Sequence, residues 1–261
     1  MIESTIQGHG GELAVYRWAN PDARWLAVLV HGYGEHMGRY QHVAEALVDA
    51  GAEVVGVDHV GHGRSAGERV LITDFDGVVE DVHAVLRSAS SDLPTVLIGH
   101  SMGGLIAARY AQLHGDELAA LVLSAPVLGT WQALDLLAAD EIPDVPIDPD
   151  TLSRDPAVGS SYAADPLVWH GPFKRETLLS LEQALDAVNF GEPLTSLPGL
   201  WLHGEDDQLV PLSDTRTGMD RIRGADFEER LYPGARHEVF NETNRDEVLG
   251  DLTSFVHRTI R

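Results

Sequence analysis

The residues best suited to chemistry are a serine, a pair of aspartates and a histidine, each following a predicted strand. Ser101 lies within the pattern Gly-x-Ser-x-Gly at residues 99–103, between a β-branched apolar run and an alanine-rich helical pattern. The flanking glycines permit a tight strand-to-helix turn that holds a serine in a strained conformation. The helix that follows directs its positive end towards the reacting atoms. Ser101 is therefore a candidate nucleophile that requires a base, a carboxylate and an oxyanion hole.

His237 is the candidate base, because it lies in a glycine-containing loop directly after the last predicted strand. Its imidazole would accept the proton of Ser101. A carboxylate on the other ring nitrogen would fix the tautomer, and both Asp206 and Asp207 follow an earlier strand. The spacing from Gly204 favours Asp207 as this carboxylate, with Asp206 as the alternative.

Two backbone amides are the expected oxyanion donors. One belongs to Met102, at the start of the helix after the serine, and the other to Tyr33, after the first buried strand. Gly32 and Gly34 would allow the backbone to approach the reacting carbonyl closely. His100, next to the candidate nucleophile, is predicted to point away from it and to support the turn.

Two further motifs indicate other chemistry. Residues 61–66 fit the dinucleotide-binding pattern G-x-G-x-x-A, but no helical pattern opens directly after them, so nucleotide binding is not expected. Asp58, His59 and His62 are residue types that bind metals, but they lack the spaced companions of a hydrolytic metal site. We therefore expect neither a cofactor nor a metal.

The elements that must position these residues alternate along the chain. After an edge hairpin, six apolar runs have the composition of buried strands, and helical patterns separate most of them. The runs cover residues 25–30, 53–57, 96–98, 118–124, 199–203 and 227–232. This alternation predicts an α/β fold with a mostly parallel, doubly wound sheet. The candidate residues would lie at the carboxyl ends of the strands, where open sheets bind ligands.

The alternation stops between residues 127 and 195. This segment contains helix candidates at 130–139 and 176–189, and it shows no strand pattern. We therefore predict a core over residues 1–126 and 196–261 that carries an inserted α-helical cap over 127–195.

The composition excludes several classes of function. The 261 residues contain no cysteine and carry a formal net charge of −23. The missing cysteine excludes disulfides and thiol catalysis, and the negative charge disfavours nucleic acid as an electrostatic partner. No signal peptide or transmembrane segment is recognisable, so we expect a soluble, cytoplasmic protein.

Five motifs together resemble the monoacylglycerol lipase family of α/β-hydrolases, and most closely its compact bacterial members. The motifs occupy residues 31–40, 58–65, 99–104, 203–207 and 237–242. The resemblance implies the α/β-hydrolase fold and a serine hydrolase that cleaves monoacylglycerols to glycerol and fatty acid beneath a mobile helical cap. It supports Ser101, Asp207 and His237 as the catalytic triad, and the amides of Tyr33 and Met102 as the oxyanion hole.

The resemblance also implies how the substrate would lie. Glu35 would be near the glycerol end of the pocket. The cap helix, with Leu134, Leu136 and Leu137, is expected to line the acyl pathway and to contact lipid aggregates transiently. Tyr33 departs from the family pattern of a small residue or leucine, so the pocket is expected to differ in shape near the ester. A broader carboxylesterase, lysophospholipase or acyl thioesterase with the same triad is the alternative function. A non-catalytic binding protein is a third, and the oligomeric state stays open.

Overall fold

The computed structural model describes residues 1–89 and 92–260, and its eight strands form one sheet. The strands are β1 Ile2–Gly8, β2 Gly11–Trp18, β3 Trp25–Val30, β4 Ala52–Val57, β5 Thr95–His100, β6 Ala120–Ser124, β7 Gly199–Gly204 and β8 Phe227–Tyr232. Their order is β1-β2-β4-β3-β5-β6-β7-β8. The pairs β1–β2 and β2–β4 are antiparallel, and every pair from β4 to β8 in this order is parallel. The predicted mostly parallel sheet is confirmed.

Within the described residues the sheet is accompanied by seven α-helices. They are α1 Gln41–Asp49, α2 Phe75–Ala89, α3 Met102–His114, α4 Pro156–Ala164, α5 Arg175–Asn189, α6 Leu212–Ile222 and α7 Arg245–Thr259. None of these described helices has the length and apolar character needed to cross a membrane.

Two apolar layers, one on each face of the sheet, hold the strands in place. Every side chain of β3 is buried, and successive side chains belong alternately to two separate clusters. Leu26 and Val28 join the cluster that contains residues of α2 and α3, whereas Trp25 and Ala27 join the cluster that contains residues of α1 and α7. Full burial of such side chains contributes about 1.5–3 kcal/mol each, so the central strands are fixed from both sides.

The segment between β6 and β7 differs from the prediction in three respects. The helix candidate at 130–139 is the shorter 3-10 helix Gln132–Ala138, and the Arg175 guanidinium donates to carbonyl oxygens at its end, including that of Leu137. Helix α4 was not predicted. Helix α5 does not lie over the core as a lid, since Leu181 and Val188 belong to the main apolar cluster.

The turn between β5 and α3 is strained and tightly packed. Ser101 has φ 55° and ψ −119°, a conformation that few non-glycine residues adopt. Its amide donates to the Ser124 carbonyl at 2.9 Å. A Cβ on Gly103 would collide with the carbonyl oxygen of Val30, and a Cβ on Gly99 would collide with that of Gly103. The helix therefore rests directly on the backbone of β3.

We expect Gly103→Ala to destabilise the protein by about 1–3 kcal/mol, because the new methyl group must displace the backbone of β3. The matched control is Gly250→Ala in α7, where a Cβ would meet no atom within 4 Å. That change should stabilise the helix by about 0.5–1 kcal/mol. Urea unfolding of both variants measures the difference, and equal midpoints would contradict the packing described for the turn.

Candidate active site

The structure brings Ser101, His237 and Asp207 into one hydrogen-bonded chain. Ser101 follows β5, Asp207 lies in the loop after β7, and His237 lies in the loop after β8. His237 Nε2 is 2.9 Å from Ser101 Oγ, and His237 Nδ1 is 2.7 Å from Asp207 Oδ2. This order of hydroxyl, imidazole and carboxylate matches the geometry by which a serine is activated as a nucleophile.

Asp207 is fixed from several directions. Its Oδ1 accepts hydrogen bonds from the amides of Leu209 and Val210, both at 2.9 Å. His203 Nε2 lies 3.4 Å from Asp207 Oδ2, and Trp201 Nε1 donates to the other ring nitrogen of His203. The alternative carboxylate, Asp206, is exposed. Sequence reasoning gave His203 no role, although its position at the end of β7 would have suggested one.

The surroundings of Asp207 and His237 shift the pKa of each side chain so that its charged form is favoured. Burial alone would raise the pKa of Asp207, but His237 and His203 outweigh burial and hold it well below its usual range. Burial alone would lower the pKa of His237, but the carboxylate of Asp207 outweighs burial and raises it. An ionised Asp207 therefore orients the ring and stabilises the imidazolium that forms when the ring takes a proton.

His100 differs from the prediction that it points away from the nucleophile. Its ring lies 4.8 Å from the ring of His237, centroid to centroid, and it lines the same cavity as Ser101. His100 Nδ1 lies within hydrogen-bonding distance of the Ser124 carbonyl and hydroxyl. Burial lowers the pKa of His100 to about 4, so the ring is neutral at pH 7 and supports His237 by packing.

Both residues predicted to supply oxyanion donors lie near the nucleophile, since Met102 follows Ser101 directly and Tyr33 lines the same cavity as Ser101. Met102 is the first residue of α3, so its amide has no partner within the helix. The loop that carries Tyr33 passes close to Ser101, since a Cβ built on Gly32 would lie 3.2 Å from Ser101 Cβ. Glu35 Oε1 accepts from the Gly32 amide at 2.7 Å and thereby fixes this loop.

A cavity of about 380 Å³ opens at Ser101 and has chemically distinct walls. Its apolar lining includes Trp131, Leu136, Ile147, Leu152, Phe173 and Leu209, and its polar lining includes Glu35, Arg39, Tyr162 and Glu238. The ring of Tyr33 stacks on Phe173 at 4.5 Å and forms part of the wall. Of the three leucines predicted for the acyl pathway, Leu136 is among the described residues that line the cavity, whereas Leu134 and Leu137 are not. Leu134 packs on the main apolar core instead.

The polar wall is a buried ion-pair network that sequence reasoning missed. Arg39 Nη1 donates to Glu35 Oε2 and to Glu238 Oε1, both at 2.7 Å, and Arg39 Nη2 donates to Glu238 Oε2 at 2.8 Å. Tyr40 donates its hydroxyl to Glu35 Oε1 at 2.6 Å. Burial alone would raise the pKa of Glu35, but Arg39 acts together with the hydrogen bonds from Tyr40 and the Gly32 amide to outweigh burial and lower this pKa, so the carboxylate stays ionised.

The two alternative motifs have structural roles. Asp58 accepts hydrogen bonds from the amides of Met37 and Arg64 and from the hydroxyl of Tyr16, so it holds the loop after β4. Residues 61–66 form that loop and do not open a helix. Elsewhere, His83, His114 and Glu117 place potential metal-ligand atoms within 4.8 Å of one another, but they do not line the cavity.

Comparison with known proteins identifies the family of this chain. The Hydrolase_4 family, described as serine aminopeptidase S33, matches residues 21–244. A monoacylglycerol lipase from Mycolicibacterium smegmatis is 39% identical over 97% of this chain and 96% of its own length. Human monoglyceride lipase is 33% identical over 83% of this chain and 76% of its own length.

A solved structure extends the likeness to three dimensions. The crystal structure of Paleococcus ferrophilus monoacylglycerol lipase matches with a TM-score of 0.79 and 27% identity, covering 95% of this chain and 99% of that chain. The family and fold expected from the five sequence motifs are thus confirmed. The chain belongs to the monoacylglycerol lipase family, a group of α/β-hydrolases within the Hydrolase_4 family.

Proposed function

We propose that this protein cleaves monoacylglycerols to glycerol and free fatty acid through an acyl-enzyme on Ser101. The observation that carries the proposal is the hydrogen-bonded chain Ser101–His237–Asp207 at the floor of a cavity with one apolar and one polar wall. Membership of the monoacylglycerol lipase family supports the same substrate.

Acylation requires a neutral His237 ring, which can accept a proton, and an ionised Asp207, which stabilises the imidazolium that forms. His237 Nε2 accepts the proton of Ser101 as Ser101 Oγ attacks the ester carbonyl carbon. The amides of Met102 and Tyr33 donate to the oxygen that becomes negative in the tetrahedral intermediate. The imidazolium, stabilised by Asp207, then protonates the leaving glycerol oxygen, and the acyl group stays on Ser101.

Deacylation reverses these roles with water. His237 removes a proton from a water molecule, whose oxygen attacks the acyl carbon. Collapse of the second tetrahedral intermediate returns the proton to Ser101 Oγ and releases the fatty acid. The sequence of steps uses only side chains and backbone amides of this chain.

The lining of the cavity suits a substrate that has an apolar acyl chain at one end and a polar group at the other. The acyl chain would lie along the wall that contains Leu136, Ile147 and Phe173, and the glycerol would face Glu35 and Tyr162. We place the lid in residues 130–174, a narrower span than the 127–195 expected from sequence, because α5 packs into the core. Val145 lines the cavity and is 65% exposed, and it would contact lipid aggregates.

Replacing triad residues should abolish turnover without unfolding the protein. We expect Ser101→Ala to lower kcat/KM for a monoacylglycerol by about 10⁴-fold or more, and Asp207→Asn by about 10⁴-fold. Asp206→Asn is the matched control and should stay close to wild type, because Asp206 is exposed. A loss caused by Asp206→Asn but not by Asp207→Asn would overturn the assignment.

Activity should fall on acidification with a midpoint above about 6.5, the ordinary pKa of histidine. His237 must be neutral to act as a base, and the Asp207 carboxylate raises its pKa, so protonation removes the base at a higher pH than usual. A kcat/KM profile measured from pH 5 to pH 9 tests this point. A midpoint below 6 would show that burial, rather than the carboxylate, controls the ring.

Enlarging Leu136 should shorten the preferred acyl chain. Leu136→Trp would fill part of the apolar wall, so we expect hydrolysis of long-chain monoacylglycerols to fall by about tenfold relative to short-chain ones. Leu137→Trp is the matched control, because Leu137 is not among the described residues that line the cavity. Equal chain-length profiles for the two variants would contradict the pathway, and a flat wild-type profile would favour a broad carboxylesterase.

A further inference from the structure

The polar wall of the cavity carries an unbalanced charge. Its ion-pair network contains two carboxylates, Glu35 and Glu238, and one guanidinium, that of Arg39. Asp148 at the cavity lining is also acidic. Among the described residues that line the cavity, Arg39 is the one permanently cationic side chain, so the fixed charges sum to a net negative value.

The Arg39 guanidinium is already engaged by two carboxylates and an aromatic ring. Three hydrogen bonds bind its guanidinium nitrogens to the two carboxylates, and the ring of Tyr162 covers it at 5.1 Å. The side chains of Arg39, Glu35 and Glu238 are 10%, 6% and 5% exposed, so water screens the network weakly. Asn241 Nδ2 also donates to Glu238 Oε2 at 2.8 Å, which fixes the carboxylate further.

The other titratable groups at this wall do not supply a compensating positive charge. The His100 ring is neutral at pH 7, because burial lowers its pKa to about 4. Whenever the His237 ring is cationic, the Asp207 carboxylate at 2.7 Å balances its charge. The Glu35–Arg39–Glu238 network therefore carries one more negative charge than positive charge, and a substrate head group placed against this wall would lie beside that net negative charge.

We propose that Glu238 makes this site select the leaving alcohol by charge: it accepts esters of neutral and cationic alcohols, such as acylcholines, and excludes esters of anionic alcohols, such as acylglycerol phosphates. This inference rests on the proposed ester hydrolysis and adds a further substrate class to it. Like charges forced together in a poorly hydrated pocket repel, whereas a quaternary ammonium beside the Glu238 carboxylate is attracted by it.

The test compares three esters that share one acyl chain and differ in the alcohol: choline, glycerol and glycerol phosphate. Each is hydrolysed by wild type and by Glu238→Gln, which removes the charge and keeps the shape. Comparing each ester between the two proteins cancels differences in size among the alcohols. We expect Glu238→Gln to lower kcat/KM for the choline ester by about tenfold and to raise it for the glycerol phosphate ester by about tenfold.

Two controls keep the outcome interpretable. Glu238→Asp retains the charge and should keep the wild-type order of the three esters, and Glu182→Gln removes an exposed charge on α5 and should change nothing. Thermal unfolding of each variant checks that the fold persists. If Glu238→Gln shifts all three esters by the same factor, charge selection is wrong while ester hydrolysis stands. If wild type hydrolyses none of the three, the proposed function itself is wrong.

Discussion

The active site depends on a buried ion pair between Asp207 and His237. Both side chains lie out of water, where an unpaired carboxylate or imidazolium would be costly, so each stabilises the charged form of the other. The amides of Leu209 and Val210 supply the remaining hydrogen bonds that a buried carboxylate requires. The imidazole is thereby held with Nε2 facing Ser101, which is the condition for nucleophilic attack.

The fold also holds Ser101, the nucleophile that faces this pair, in a rigid position. Ser101 keeps a strained backbone because α3 sits directly on β3 through Gly103, and no side chain could be accommodated between them. The same close approach brings the loop of Gly32 against the nucleophile, where Glu35 fixes it. Glu35 thus links the loop of Gly32 and Tyr33 to Arg39 and Glu238, so the proposed oxyanion loop and the proposed leaving-group wall share one buried network.

Much of this arrangement could be predicted from sequence because its signals are local. The apolar runs specify strands buried on both faces, and the glycines around Ser101 specify the turn. The spacing after Gly204 was enough to favour Asp207 over Asp206. Helix α4 was not predicted because its apolar residues do not recur at helical spacing. A start signal is nevertheless present, since Asp155 is the N-cap and Pro156 is the first residue of the helix.

The features that could not be predicted depend on contacts between distant parts of the chain. Arg39 and Glu238 are 199 residues apart in sequence. Nothing in the sequence around either residue indicates that the two form an ion pair. The orientation of His100 towards His237 depends on how the loops pack over the sheet. The same packing decides that, of the three predicted leucines, Leu136 lines the described cavity and Leu134 and Leu137 do not.

The most direct measurement of the central claim is the site and rate of labelling by a fluorophosphonate, which reacts with an activated serine. Peptide mass spectrometry should find the phosphonyl group on Ser101 alone, and His237→Ala should slow labelling by orders of magnitude. Labelling at another residue, or equal labelling rates with and without the imidazole of His237, would show that the buried pair does not activate this serine.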